Sequence, residues 1–338
     1  MKKILFLLLL ISSGFFFFYR AETQPSALYL TWMHDPTSTM TIQWHSSEKN
    51  GEIFYQKEGE NSWSKASGTA HAITQATLWW EKLFVHTIEL EQLLPDTMYI
   101  FRLASLPKVY RFKTMPENGM KPMHFVVGGD VYENDTFLLK KMNARVAKMD
   151  PDFVVIGGDI AYACNHSVFL KGRYFEMRRW QTFFRQWKEQ MVTSDGRLIP
   201  LVVILGNHDV PRHPVHPDRK KMLFYELFAF PEPSIPYRTL DFGRELSLLL
   251  LDTGYTYPIA GAQTQWLERA LQNRRAQKQK MAVYHVGAYP SSTSPKSKRN
   301  REVRRHWSPL FERYGVSVAF EHHDHTFKRT HPIKGEKV

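Results

Sequence analysis

The sequence predicts an N-terminal all-β sandwich followed by a larger α/β domain, and three observations predict this fold. Short apolar segments separated by turn sequences recur over residues 25–116 at the spacing of about 8 to 12 residues that sandwich domains show. From residue 120 onward, apolar strands alternate with amphipathic helical segments, which indicates an α/β layered domain. The 338 residues are 43% hydrophobic and 23% charged, and this composition excludes global disorder.

The first twenty residues have the features of a targeting segment. Lys2 and Lys3 precede an apolar run over residues 4–19, and Arg20 follows it. A buried core helix explains this run poorly because the run shows no polar face. We interpret residues 1–20 as a signal peptide or an uncleaved membrane anchor, since residues 4–19 fall short of the about 20 residues of a typical spanning helix. The protein is therefore expected to be exported, either secreted or periplasmic, or held at a membrane through residues 4–19.

The predicted sandwich, residues 25–116, contains a second signal near its end. Leu93, Pro95, Thr97 and Tyr99 form the pattern L-x-P-x-T-x-Y, which resembles the tyrosine corner of fibronectin type III domains. We expect a fibronectin III-like domain with a structural or positioning role. Packing explains its tryptophans better than the binding of a carbohydrate or a protein partner. The predicted strands cover residues 28–33, 40–45, 52–57, 84–90 and 98–103, and the tryptophans in question are Trp63, Trp79 and Trp80.

Alternating strands and helices make up the predicted second domain, residues 120–338. One helical segment, residues 174–190, is expected to pack its large apolar side chains inward. The predicted strands cover residues 125–127, 153–156, 201–205, 246–251, 281–284 and 316–320, the helices cover 136–148, 174–190, 263–274 and 301–314, and the inward side chains are Trp180, Phe183, Phe184 and Trp187.

Charge is concentrated in the second domain. Residues 21–116 carry eight Lys/Arg and ten Asp/Glu, whereas residues 117–338 carry 34 and 23. Residues 117–338 therefore have a net charge of +11, which favours anionic ligands. The basic run at residues 296–305 has the features of a solvated helix start with poor aromatic interleaving, so nucleic-acid binding is not expected. Cys164 is the single cysteine, which excludes an intrachain disulfide and a thiolate zinc site.

Polar side chains able to bind a metal ion follow nearly every predicted strand of the α/β domain. Loops that leave the carboxyl ends of strands in an α/β sheet converge on one crevice, so five separated motifs can form one site. Each motif alone has a structural explanation, such as a turn, and the prediction depends on the ordered set. The residues are Asp130 in GGD, Asp159 and Tyr162 in GGDIAY, Asn207 and His208 in GNHD, His285 in YHVGAYP, and His323 and His325 in HHDH.

The order GD…GDxxY…GNHD…H…HxH resembles that of the calcineurin-like metallophosphoesterases and, among them, the purple acid phosphatases. Two positions select this subgroup. Tyr132 occupies the place of the histidine in the D-x-H motif of the wider superfamily, and Tyr162 follows Asp159 by three residues. A phenol has a pKa of about 10, so a strongly acidic, hard cation such as Fe(III) is needed to hold it as phenolate at neutral or acidic pH.

The resemblance implies a binuclear metal centre and a reaction. Fe(III) would be paired with a divalent ion, either Zn, Mn or Fe, and Asp159 would bridge the two. In an extended segment, His323 and His325 would point to the same side and reach different ions. The implied ferric ligands are Asp130, Asp159, Tyr162 and His325, and the implied divalent ligands are Asp159, Asn207, His285 and His323.

A metal-activated hydroxide would attack a phosphate monoester, with Asn207 and His208 binding the substrate and His208 acting as the catalytic proton donor to the leaving group. The partner is therefore a small anionic phosphate ester. One alternative is a phosphodiesterase or nucleotidase on the same metal core. A second alternative is an inactive, truncated surface-binding module.

Three departures from the family pattern concern the last third of the chain. His322 stands where a glycine usually precedes HxH, so a registry that uses His322 stays open. Ser294 and Pro295 occupy the stretch where plant-like members carry paired histidines, which predicts a different mode of substrate recognition. The sequence ends thirteen residues after His325, and a C-terminally truncated domain is therefore expected. Candidates for substrate recognition are His213, His216, Tyr289 and Lys296.

Overall fold

The computed structural model describes residues 25–73, 82–119, 122–132, 135–164, 173–211, 222–233 and 235–335, with residues 173–175 described by their backbone alone. Several predictions lie outside these ranges: the targeting segment at residues 1–20, Trp79 and Trp80, and His213 and His216. Within the described ranges, no helix has both the length and the apolar character needed to cross a lipid bilayer.

The N-terminal domain consists of two antiparallel sheets. Their strand orders are β1-β2-β6-β5 and β4-β3-β7-β8. The five predicted strands are present, whereas β4, β5 and β8 were not predicted. Side chains of β4 and β5 are mostly exposed, so these strands lack the apolar alternation that would reveal them. The strands are β1 (Ala27–Thr31), β2 (Met40–Ser46), β3 (Glu52–Lys57), β4 (Ser64–Ser67), β5 (Thr69–Ile73), β6 (Leu83–Leu90), β7 (Met98–Leu103) and β8 (Val109–Lys113).

One hydrophobic core lies between these two sheets. Leu30 and Ile42 of the first sheet belong to the same buried cluster as Ile53 and Phe101 of the second. The predicted tyrosine corner is also present, because the backbone N–H of Leu94 donates a 3.0 Å hydrogen bond to the phenol oxygen of Tyr99. This bond fixes the crossover into β7.

The second domain also contains two sheets. The order β11-β10-β9 is parallel throughout, while the order β12-β13-β14-β15 is parallel except for the antiparallel pairing of β12 with β13. The elements are β9 (Phe125–Gly128), α1 (Thr136–Ala147), β10 (Phe153–Gly157), α2 (Arg173–Gln190), β11 (Leu201–Ile204), α3 (Leu223–Leu227), β12 (Arg238–Phe242), β13 (Leu246–Leu250), α4 (Thr264–Asn273), β14 (Gln279–Val286), α5 (Lys298–His306), α6 (Ser308–Tyr314) and β15 (Val318–His322).

An aromatic cluster joins the sheets of the second domain to the sandwich. Phe153 of β10 stacks on Phe125 of β9 at 4.9 Å and on Phe242 of β12 at 4.6 Å between ring centroids. Trp32, directly after β1, packs edge-on against Phe153 at 5.7 Å and against Phe242 at 5.8 Å. Because Trp32 is fully buried, the cores of the two domains are continuous.

Helix α2 packs on the sandwich from the other side. Its predicted inward side chains, Trp180, Phe183, Phe184 and Trp187, are all buried, which confirms the prediction. Phe184 stacks on Tyr29 of β1 with 4.5 Å between ring centroids. The sandwich therefore supports the second domain at two separate places.

The prediction of one helix over residues 301–314 was wrong. Two helices, α5 and α6, meet at Trp307, and Pro309 lies in the first turn of α6. Proline has no N–H to continue the hydrogen bonding of α5, so the first helix ends before it. Trp307 is buried at the junction and donates its indole N–H to the Thr264 hydroxyl at 3.2 Å.

Candidate metal centre

The predicted site residues lie at the carboxyl ends of strands in both sheets of the second domain. Asp130 and Asp159 each come two residues after a strand, β9 and β10, and Asn207 comes three residues after β11. His323 directly follows β15. His285 lies inside β14, where the pairing with β15 shifts register between Tyr284 and Val286. A shift of this kind redirects a side chain, and here it falls on His285.

Three of the predicted ligands form what we call the first donor group: Asp130, Tyr162 and His325. The phenol oxygen of Tyr162 lies 2.8 Å from His325 Nε2 and donates to Asp130 Oδ1 at 3.3 Å. His325 Nε2 lies 3.2 Å from the same carboxylate oxygen. The Tyr162 phenol oxygen, Asp130 Oδ1 and His325 Nε2, all potential metal-binding atoms, therefore lie within 3.3 Å of one another.

The remaining predicted ligands form the second donor group: Asp159, Asn207, His285 and His323. Donor atoms of Asp159, His285 and His323 all lie within 4.8 Å of one another. His285 Nε2 lies 3.3 Å from Asp159 Oδ2 and 3.2 Å from Asn207 Oδ1. The other nitrogen of His285, Nδ1, lies 2.8 Å from the carbonyl oxygen of Gly157. With its proton on Nδ1, this imidazole directs the Nε2 lone pair into the group.

The two donor groups are adjacent. The backbone N–H of His323 donates to Asp130 Oδ2 at 2.9 Å, so the second group contacts the first directly. His208 connects them as well, because its backbone N–H donates to Asp159 Oδ1 at 2.7 Å while its ring stacks on Tyr162 at 4.6 Å. All seven predicted ligands and His208 thus lie in one place.

Backbone strain is concentrated at this centre. Left-handed φ angles cost non-glycine residues roughly 1–3 kcal/mol each and cluster at functional sites. Eight described non-glycine residues have positive φ, and five are predicted ligands: Asp130 (55°), Asp159 (51°), Tyr162 (48°), His323 (73°) and His325 (50°). The extended conformation predicted for His323 and His325 was therefore wrong, and a tight turn brings both rings into the centre instead.

Buried carboxylates give the centre a negative potential. Burial alone would lower the pKa of His285, but the hydrogen bond and charge of Asp159, with the charge of Asp130, raise that pKa to about 9. Burial would likewise raise the pKa of Asp159, yet His285 and the backbone N–H of His208 lower it. A potential that retains a proton on a buried imidazole also favours a cation. The donor set of carboxylates, phenol, amide and imidazoles therefore fits a metal centre.

Comparison with known families agrees with this centre. The model of the calcineurin-like phosphoesterase family matches residues 123–327. The chain belongs to this family. The model described as the purple acid phosphatase N-terminal domain matches residues 25–114, so the resemblance to purple acid phosphatases drawn from the motifs is confirmed.

Curated relatives of this family member include acid phosphatases from a plant and from animals. Purple acid phosphatase 21 of Arabidopsis thaliana is 24% identical over 260 residues, covering 75% of this chain and 55% of the relative. Acid phosphatase type 7 of Mus musculus is 23% identical over 343 residues, covering 93% and 72%. Fe(3+)-Zn(2+) purple acid phosphatase 12 of Arabidopsis thaliana is 24% identical over 325 residues, covering 91% and 66%. The chain thus spans about half to three quarters of these relatives' lengths.

A solved structure supports the fold. The structure titled "Structure of PhoD" superposes with a TM-score of 0.56 at 14% sequence identity, covering 88% of this chain and 71% of the other. At this identity the likeness shows the fold alone.

Asp209, the last residue of GNHD, holds two loops of the calcineurin-like domain together and was not singled out from the sequence. Its buried carboxylate accepts backbone N–H bonds from Asp159 at 2.7 Å, Ile160 at 2.9 Å and Gly206 at 2.8 Å. Burial and the charge of Asp159 raise the pKa of Asp209 to about 7. The loops approach so closely that a Cβ on Gly206 would lie 2.3 Å from Asp159 Oδ1. The motif itself was the signal that could have revealed Asp209.

Tyr255 is a second residue that the sequence did not reveal. Its phenol donates to Asn207 Oδ1 at 3.1 Å, and burial raises its pKa. The loop that carries Tyr255 is fixed by buried Asp252, which accepts the backbone N–H groups of Tyr255 at 2.9 Å, Thr256 at 2.8 Å and Tyr257 at 2.7 Å. No motif marks this loop, so only the fold brings Tyr255 to the second donor group.

Glu321 of β15 anchors the segments next to His285 and His323. The phenol of Tyr284 and the backbone N–H of Ala288 each donate to Glu321 Oε1 at 2.6 Å, and Lys328 Nζ lies 2.6 Å from Oε2. Side-chain exposure is only 8% for Glu321 and 18% for Lys328. This ion pair therefore connects β14 to the segment that follows His325.

His322 does not take part in either donor group. Its ring lies against Gly157, where an added Cβ would come within 1.8 Å of His322 Nε2. That nitrogen is buried without a hydrogen-bond partner in the described structure, and burial lowers the pKa of His322 to about 3. The geometry thus favours the registry that uses His323 and His325.

Two predicted recognition candidates, Lys296 and Tyr289, and the sandwich residue Trp63 differ in their surroundings. Lys296 is exposed at the start of the basic run, and Tyr289 is half-buried beneath the guanidinium of Arg304 at 5.9 Å. Trp63 in the sandwich is 38% exposed and packs against Arg102 at 5.6 Å. None of these three contacts the donor groups in any hydrogen bond described for them.

Proposed function

We propose that this protein is an exported binuclear-metal phosphatase that hydrolyses phosphate monoesters. The observation that carries the proposal is the adjacency of the two donor groups, with the Tyr162 phenol in the first of them. The relatives named acid phosphatases support hydrolysis of phosphoric esters. Export is supported by the apolar segment at residues 4–19, which also provides a route to a membrane.

The two donor groups would hold different metal ions. The first donor group, together with Asp159, would hold Fe(III), because its phenol needs a strongly acidic cation to bind as phenolate. The second donor group would hold Zn, Mn or Fe as the divalent ion, with Asp159 shared between the two. One relative is named an Fe(3+)-Zn(2+) enzyme, which supports this pairing.

The metal centre would supply Lewis acidity toward a phosphate oxygen and an activated water for in-line attack. The chain's own residues would orient the substrate and move a proton. His208 stacks on Tyr162 beside the donor groups, and its imidazole would bind the phosphate ester and protonate the leaving alcohol. The Tyr255 phenol donates a hydrogen bond to the amide oxygen of Asn207 and would hold this oxygen at the second donor group.

Paired substrates test the reaction. The purified, iron-loaded protein should hydrolyse 4-nitrophenyl phosphate faster than bis(4-nitrophenyl) phosphate, and Asp159→Asn should abolish turnover of both. Faster turnover of the diester would favour the phosphodiesterase alternative. Bound iron without turnover of any phosphate ester would favour the inactive surface module.

Colour tests the metal assignment. With Fe(III) bound, the protein should show a visible phenolate-to-iron charge-transfer band that Tyr162→Phe removes. Tyr132→Phe is the matched control, because Tyr132 is a buried tyrosine at the same end of the sheet whose phenol contacts Thr136 at 3.5 Å. If the band persists in Tyr162→Phe and disappears in Tyr132→Phe, the assignment of Tyr162 is wrong.

A further inference from the structure

The basic run at residues 296–305 contains arginines with different roles. Arg301 and Arg304 donate to backbone carbonyl oxygens, Arg301 to Lys296 and Arg304 to Ala288 and Pro295. These two side chains hold the loop between β14 and α5 in place. Their described hydrogen bonds go to the backbone of this loop.

Arg299, on the same helix, is placed differently. Its guanidinium lies over the ring of Tyr255 at 4.3 Å from the centroid, and Nη2 donates to the carbonyl oxygen of Gly254 at 3.3 Å. In the part of the chain that the structure describes, no carboxylate lies within ion-pair distance of Arg299. The residue is exposed, so most of the five N–H donors of this guanidinium face solvent.

The position of Arg299 relative to the metal centre is fixed by Tyr255. The ring that supports Arg299 ends in the phenol that donates to Asn207 Oδ1 at 3.1 Å. Tyr255 in turn is held by Asp252 through its backbone N–H at 2.9 Å. Arg299 is therefore an exposed cation that is linked to the second donor group through the ring and phenol of Tyr255. For an ester held at the donor groups, an anionic substituent on the alcohol is the group that this cation would meet.

We propose that Arg299 binds a second anionic group on the leaving alcohol, so that the substrates are phosphate monoesters whose alcohol carries a carboxylate or a further phosphate. This inference rests on the proposed function, which places the ester at the donor groups. A planar guanidinium suits both anions, because it offers paired N–H donors to two oxygens. Its stacking on Tyr255 reduces the conformational entropy that binding would otherwise lose.

Two phosphonates that differ only in a carboxylate test the inference without turnover. Binding of phenylphosphonate and 4-carboxyphenylphosphonate to the metal-loaded protein is measured by isothermal titration calorimetry. We expect the carboxylated ligand to bind about tenfold more tightly, the effect of one charge-assisted hydrogen-bonded contact. Arg299→Ala should remove this preference and leave phenylphosphonate binding unchanged, and Arg299→Lys should retain part of it.

Lys298→Ala is the matched control, because Lys298 lies one position away with a side chain that is 82% exposed, and it should keep the preference. Equal binding of the two phosphonates, or binding of neither, overturns the inference. Equal weakening of both by Arg299→Ala also overturns it, since that result would mean that Arg299 acts only by positioning Tyr255 and Asn207. An active phosphatase without the preference refutes this inference alone, whereas the preference without hydrolysis refutes the proposed function alone.

Discussion

His45 makes the stability of this protein sensitive to acid. It lies in β2, fully buried, with Nε2 3.3 Å from the Tyr29 phenol oxygen and its ring 5.0 Å from that of Phe184 in α2. Burial, with smaller contributions from the charges of His71 and His86, lowers the pKa of His45 from 6.5 to about 3. A charged imidazole would therefore disrupt the contact between the sandwich and α2.

The sign and size of the effect follow from proton linkage. Between pH 6.5 and about 3, the unfolded chain binds a proton at His45 that the folded protein does not bind, so stability falls as the pH falls. Each pH unit in this window changes the free energy of unfolding by about 1.4 kcal/mol. A decrease from pH 7.5 to 5.0 should therefore destabilise the protein by about 2 kcal/mol through His45 alone.

The assay is equilibrium urea unfolding at pH 7.5 and 5.0 of the wild type and His45→Gln, a variant that cannot titrate at this position. The wild type should lose about 2 kcal/mol more than the variant between the two pH values. His331→Gln, which removes an exposed histidine, should behave like the wild type. If the wild type and His45→Gln lose the same stability, the buried imidazole does not titrate as reasoned here.

Three further predictions concern packing and the loops of the centre. Trp32→Ala should lower the free energy of unfolding in urea by about 3–5 kcal/mol, because it opens a cavity where the two cores join, and a loss below 1 kcal/mol would contradict that continuity. Asp209→Asn should leave one buried N–H without an acceptor and so lower the free energy of unfolding, measured in EDTA, by about 1–3 kcal/mol. The variant should also bind metal more weakly in a titration, and an unchanged metal affinity would argue against a positioning role for Asp209. Lys328→Met should lower the free energy of unfolding in urea by about 3–5 kcal/mol, because it leaves the buried Glu321 carboxylate unpaired. Adding Glu321→Gln should restore part of this loss, whereas additive losses would show that the two residues are not coupled.

Local patterns explain what could be predicted. Apolar periodicity revealed the central strands of both domains, and the polar residues after those strands drew attention to side chains that the fold brings together. The same reasoning missed β4, β5, β8 and β12. Side chains of β4 and β5 are mostly exposed, and three of the five residues in β12 are polar. It also treated His323 and His325 as an extended pair, because left-handed backbone angles at non-glycine residues leave no signature in the sequence.

The sequence by itself determined the two-domain order, the kinds of donor atoms and their succession along the chain, since these depend on residues close together in the sequence. Only the tertiary structure decided which side chains support those donors. Tyr255 reaches Asn207 across 48 residues, and Asp209 reaches the backbone of Asp159 across 50. Such contacts arise from the packing of whole strands and loops, and Arg299 is positioned in the same way, through a ring that another segment of the chain provides.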